Sequence, residues 1–133
     1  MVEDYYSTYL TGLAASHAIP TAWGARFVKG TNLFLYAAPD NTLNSLTIIP
    51  YQGSKPDIIK PDVYYPNIQI WIKNKTPHIA VDTGIELIKA IHRDNTIING
   101  VIFSLDSSPR IIGLDDVGTY HVTVNFQNKF VSS

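Results

Sequence analysis

The side chains best suited to proton transfer or metal ligation are four histidines, at positions 17, 78, 92 and 121. None stands at a metal-ligand spacing such as HxxxH. His78 falls in what reads as the first turn of a helix and His92 at that helix's end. His17 lies near the end of an N-terminal helix, and His121 on the polar side of the last strand. All four therefore read as structural or surface residues. Asp115 and Asp116, close to Gly118, have the residue types of a hard-cation site. A turn between strands uses the same types for backbone hydrogen bonds, and no EF-hand spacing is present. Ser104, Ser107 and Ser108 lie near a turn without a GxSxG elbow. The run GARFVKG, from Gly24 to Gly30, is neither a phosphate loop nor a dinucleotide fingerprint. The chain has no cysteine, which removes thiolate catalysis, disulfides and Cys-ligated zinc. Enzyme chemistry would have to be assembled from distant segments, by a pocket bringing His92 or His121 beside a carboxylate.

The elements that position these residues are legible from periodicity. In YYPNIQIWIKNK, Ile68, Ile70 and Ile72 alternate with Gln69, Trp71 and Lys73, so one face is aliphatic and the other mixed. Pro66 suits the first residues of such a strand. Thr76 followed by Pro77 reads as an N-cap with proline at the first helical position. The helix that follows places Asp82, Glu86, Lys89 and Arg93 on one stripe, opposite Ala80, Val81, Ile85, Leu87, Ile88 and Ile91. That stripe runs from acidic to basic, in the sense the helix dipole favours. TYHVTVNFQNKF is a second clear strand, with Tyr120, Val122, Val124 and Phe126 alternating against His121, Thr123, Asn125 and Gln127.

The remaining elements are shorter. Tyr6, Leu10, Leu13, Ala14 and His17 predict one N-terminal helix over residues 2–17, weakened at Gly12 and stopped at Pro20. IPTAWGARFVKGTN has no period and reads as a connector whose Trp23 and Phe27 tuck against the core. NLFLYAA and NSLTIIPY are expected to pair as a hairpin. QGSKPDIIKPD reads as a long exposed loop with Ile58 and Ile59 at its tip, flanked by Lys55, Asp57 and Lys60. Val101, Phe103 and Leu105 alternate with Ile102, Ser104 and Asp106 after the Asn99-Gly100 turn, and SSPRIIGLDDVG is turn-rich. The expectation is an α+β fold: a mainly antiparallel sheet of about four to five strands with two helices packed on one face. Residues 1–133 form one domain, with a helix and connector over 1–30 and the core over 31–133.

Ten Lys+Arg against eleven Asp+Glu give a net charge of −1, without the concentrated basic field that tight nucleic-acid binding needs. MVEDYYSTYL has no basic leader before a long apolar run, and no window approaches a membrane span, so a soluble intracellular protein without membrane contact is expected. Trp71 departs from simple patterning. Its place on the mixed strand face makes it either an amphipathic ring lying over the sheet or a subunit contact. A base-stacking platform would need more aromatic and basic neighbours than Lys73 and Lys75.

The order of short motifs is more specific than any one of them. NLFLYAAPDNTLNSLTIIPYQGSKPD, then YYPNIQIWIKN leading into the helix, then PRIIGLDDVGTYHVTVNFQ, resembles the tail-terminator (minor capsid, tail-completion) proteins of long-tailed bacteriophages over about residues 30–128. Ala38-Pro39-Asp40, Gly53, Pro66, Pro109 and Gly113-Leu114-Asp115 carry the resemblance. It implies a ring, typically of six subunits, that caps the finished tail tube, stops its polymerisation and joins tail to head. No cofactor and no catalytic residue are implied. The implied partners are further copies of the chain, the tail tube protein and the head-tail connector protein, with genomic DNA sliding through the lumen unbound. The implied setting is the virion neck, after assembly in the host cytoplasm.

A head-to-tail ring needs two different complementary surfaces per subunit. The residues assigned to subunit or tail contact are Lys55, Asp57, Ile58, Ile59 and Lys60 in the loop, Trp71 on the strand, and Asp82, Glu86, Lys89 and Arg93 on the helix. Competing readings are another head-tail connector or neck protein and a small α+β enzyme. A nucleic-acid-binding module ranks below both for want of a basic face.

Overall fold

The computed structural model describes residues 2–39, 42–54, 63–92 and 101–131. Ile68, Ile70 and Ile72 are wholly buried, as are Val122, Val124 and Phe126, so the two strongest alternations are strands sharing one buried face. These are β3 (Val63–Asn74) and β6 (Tyr120–Val131), antiparallel partners at the centre of the sheet. β2 (Ser45–Ser54) flanks β3 antiparallel, and β1 (Leu33–Leu35) lies outside β2. On the other side of β6, β4 (Val101–Ser104) pairs with its later residues and β5 (Arg110–Leu114) with its earlier ones. The expected α+β class and mainly antiparallel sheet are what the structure has. Its described residues form six strands in the order β1-β2-β3-β6-β4, with β5 also on β6. β5 comes from the turn-rich segment, where no alternation marks it.

Helices cover the aliphatic face. α1 (Val2–Thr11) lays Tyr6 and Leu10 on the sheet, with the Tyr6 ring 6.1 Å from that of Phe126. The Tyr6 hydroxyl donates to Asn128 Oδ1 at 2.5 Å, and Asn128 Nδ2 donates to the Pro66 carbonyl at 2.9 Å, so one buried amide ties α1 to both central strands. α3 (Pro77–Ile91) starts at the predicted proline. Its N-cap Thr76 makes no side-chain capping bond, and its backbone N–H donates instead to Asn74 Oδ1. α3 buries Ala80, Thr83, Gly84, Leu87 and Ile91, whereas Ile85, expected inside, lies at the exposed rim. Gly84 is buried because Pro109 presses on it: a Cβ there would sit 2.6 Å from the proline Cγ and 3.4 Å from Val124 Cγ1.

Three expectations are corrected. The N-terminal region is two helices: α1 ends at Thr11, and a short α2 (Ala18–Trp23) begins after His17, whose Nδ1 accepts from the Ile19 N–H. Pro20 does not stop a helix, because it stands in the first turn of α2, where a missing N–H deprives no carbonyl of a partner. Trp23 and Phe27 do tuck in as expected; their rings meet edge-on at 5.2 Å, and Trp23 Nε1 donates to Thr83 Oγ1.

β1 and β2 are not a hairpin but run parallel, Leu33 beside Leu46 and Leu35 beside Ile48. Tyr36, at φ 70°, turns the chain at the end of β1 while its N–H still reaches the Ile48 carbonyl. Pro66, finally, does not open β3, which begins three residues earlier at Val63. The neighbouring β2 changes register between Tyr51 and Ser54, beside this proline, and a bulge of this kind is where a sheet interior tolerates one.

Candidate functional site

Among the described residues no helix covers the other face of the sheet, and strand register sets its side chains in rows. Ser45, Lys73 and His121 form one row across β2, β3 and β6; Thr47, Trp71 and Thr123 the next; Ile49, Gln69 and Asn125 the third. Trp71 is half-buried, and its indole Nε1–H donates to His121 Nδ1 at 2.7 Å, with the rings edge-on at 5.8 Å. An indole N–H can only donate, so Nδ1 is the acceptor and the imidazole proton sits on Nε2. Nε2 faces Asp115 Oδ2 at 2.6 Å.

Asp115 also builds the β5–β6 turn. Its Oδ1 accepts from the backbone N–H groups of Val117 and Thr119, and Gly118 completes the turn at φ 80°. The hydrogen bond from His121, followed by those backbone donors, holds the Asp115 carboxyl down at about 2, from its ordinary 3.8. The acidic pair near Gly118 therefore includes a carboxylate filled by turn amides and an imidazole.

Between β4 and β5 the edge of β6 would be left unpaired at Asn125. Asp106 fills the gap: its Oδ2 accepts from both the backbone N–H and the side-chain amide of Asn125, while the Leu105 N–H donates to the Asn125 carbonyl. Gln69 Nε2 donates to Asn125 Oδ1, extending the network to β3. Two hollows follow along this face. One of about 560 Å³ lies between Ile49, Tyr51 and Gln69 on one side and Leu105, Asp106 and Arg110 on the other. A smaller one, about 230 Å³, is lined by Tyr36, Ser45, Trp71, Lys73 and His121.

His121 does lie beside a carboxylate, the arrangement that would favour an enzyme, but both its ring nitrogens are occupied within the fold. Among the described residues neither nitrogen is bonded to a hydroxyl nucleophile; Nδ1 holds the Trp71 indole and Nε2 the Asp115 carboxylate. His92 caps α3 and accepts the Ser104 N–H on Nδ1. Among the described residues no group of three or more His, Cys, Asp or Glu side chains could hold a metal ion. No helix among them is long and apolar enough to cross a membrane.

Of the residues assigned to contacts, Lys55, Asp57, Ile58, Ile59, Lys60 and Arg93 lie outside the described residues. Asp82, Glu86 and Lys89 line a third hollow of about 500 Å³ between α2 and α3, with Ala22 and Ile85 in its wall. Glu86 and Lys89 approach to 3.8 Å at the surface. Trp71 faces away from the helices, as the alternation requires, and spends its one polar group inside the protein. Residue patterning placed Asp106 only as an alternating position of a strand, without a role, and did not connect His121 with Asp115. The available signal was the spacing of Asp115 and His121 around a Gly118 turn, which brings neighbouring strands together at that point.

A family model described as bacteriophage tail terminator protein matches residues 14–131. No curated protein matches the chain.

Proposed function

Because the chain belongs to the bacteriophage tail terminator family, we propose that it forms a ring, six subunits in the simplest case, that caps the tail tube, ends its polymerisation and joins the tail to the head. The observation that carries this reading is the extent of the match, which takes in α2, α3 and all six described strands. Membership makes it a structural protein of the phage tail, acting among other virion proteins. The saturated imidazole of His121 agrees with a role in which this face holds shape. A net charge of −1 suits a lumen through which DNA slides, since a basic lining would hold phosphates.

The contacts proposed for the ring and its neighbours are the segment from Lys55 to Lys60, with Ile58 and Ile59, the outward face at Trp71, and Asp82, Glu86 and Lys89 on α3 together with Arg93. The tube protein, the head-tail connector and further copies of the chain are the partners. The test is assembly: tail tubes polymerised with and without the purified protein are measured by electron microscopy. Tubes of uniform length bearing a cap are expected with it, and overlong, uncapped tubes without it. Equal length distributions would overturn the proposal. Replacing Ile58 and Ile59 with serine should leave a folded chain that fails to cap, and capping at wild-type efficiency would remove that segment from the contact.

A further inference from the structure

Large apolar side chains left in solvent are concentrated at one edge of the sheet. Leu105, Ile111, Ile112, Leu114 and Val117 are 50 to 65% exposed, on β5 and the turns either side of it. β5 pairs with β6 along one side, and among the described residues no strand pairs with its other side. An edge strand with open backbone groups and apolar side chains is a surface that another chain stabilises by lying against it.

The opposite edge of the sheet is β1, whose outer side is partly lined by the chain's own preceding segment, Lys29 bridging to Leu33 and the Gly30 N–H donating to the Leu33 carbonyl, so this edge is presented through residues 28–30 as well as β1. Val28, in that segment, and Tyr36, just after β1, are 53% and 59% exposed. Among the described residues Tyr36 is the one non-glycine with positive φ, a conformation side chains avoid, and its hydroxyl donates to Glu3 Oε1 at 2.7 Å. An exposed aromatic ring tethered in this way is a pre-ordered anchor for a contact. The exposed charges near the two edges are also opposite: Lys29 lies beside β1 and Asp116 in the turn after β5. The other carboxylates nearby are engaged within the fold, Glu3 by the Tyr36 hydroxyl, Asp106 by Asn125 and Arg110, and Asp115 by His121 and the turn amides.

We infer that the β5 edge of one copy docks on the β1 edge of the next. The contact is heterologous, so repeating it gives a ring where the rotation per subunit closes and an open filament where it does not, and the ring proposed above requires the closing rotation. Two β5 edges meeting about a two-fold axis would instead bring acidic segments together and leave the β1 edge bare. The inference rests on the ring proposed above and adds which surfaces meet in it.

Two variants test it, each changed only at exposed positions. Ile112→Asp with Leu114→Asp spoils the β5 edge, and Val28→Glu with Lys29→Glu spoils the β1 edge. Mass is measured by light scattering, with tail tubes added if the wild type assembles only on them, and circular dichroism checks that both variants are folded. Each variant alone should stay at the 14.8 kDa of one chain, its half-assembly concentration raised more than about tenfold. An equimolar mixture keeps one intact contact per pair, so it should give a two-chain species and nothing larger. Lys29→Glu and Asp116→Lys should each weaken assembly about fivefold, and the double variant should recover most of that loss.

Folded variants that assemble like the wild type, a mixture that rebuilds full rings, or a charge swap without recovery would overturn the inference while leaving the ring in place. A wild type that stays monomeric even with tail tubes would overturn the ring and this contact together.

Discussion

Trp71 on β3 and His121 on β6 are joined by a 2.7 Å hydrogen bond from the indole N–H to Nδ1, and this bond sets the imidazole proton on Nε2, where it meets Asp115. The pair is diagonal across the ladder, since Trp71 stands opposite Thr123 and His121 opposite Lys73. A residue from mid-sheet thereby orients the group that closes the β5–β6 turn.

Trp71→Phe keeps the ring and removes the donor. Nδ1 then loses the donor that fixes it, and stability should fall by about 1 kcal/mol. The more specific readout is long-range proton–nitrogen correlation of the imidazole at neutral pH. The wild type should show the Nε2–H form alone, and the variant a mixture of both forms. A wild type with the proton on Nδ1 would contradict the assignment.

Acid should weaken the fold through Asp115. Its carboxyl is held below its ordinary value, so the stability it contributes is complete above about pH 4 and is lost as pH falls toward 2. Asp115→Asn has no such proton to gain, and its thermal midpoint should change less steeply across that interval. Parallel melting curves for the two proteins from pH 5 to pH 2 would contradict the expectation.

Gly84→Ala should destabilise the protein by about 1–3 kcal/mol, the range for overpacking a tight contact. Helix propensity alone predicts the reverse sign, since alanine is favoured over glycine in a helix interior. The difference lies in Pro109, a rigid ring that cannot turn aside from a new Cβ. Adding Pro109→Ala removes the closest contact and should return part of the loss, as measured by urea denaturation of the single and double variants.

Tyr6→Phe leaves the packing of α1 intact but strips Asn128, which is wholly buried, of the donor to its Oδ1. An unsatisfied buried acceptor costs about 1–3 kcal/mol. Burial has raised the Tyr6 hydroxyl well above its ordinary range, so it stays a donor to high pH. Denaturant titration should show the loss with an unchanged slope; a stability equal to the wild type would remove this bond from the account.

Where neighbours in sequence carry the signal, the fold was legible. The aliphatic alternation in β3 and β6 predicted both central strands and their buried faces, and Thr76-Pro77 located the start of α3. Such patterns suffice because a strand or helix is specified by side chains two to four residues apart. Trp71 was correctly placed on the outward face for the same reason, and membership of the tail terminator family agrees with the motif order from which the resemblance was drawn.

What depends on a distant partner was not legible. The parallel run of β1 beside β2 depends on a left-handed Tyr36 and on where the returning chain finds a free edge, so two adjacent strand patterns misleadingly suggested a hairpin. β5 owes its existence to β6, because its own residues lack an alternation. Gly84 is a glycine for the sake of Pro109, and His121 is bound to a tryptophan fifty positions earlier in the chain. Local periodicity decides which face of an element is apolar; only the folded chain, by choosing what stands against that face and along each edge, decides which polar groups are satisfied and which surfaces remain for a neighbour.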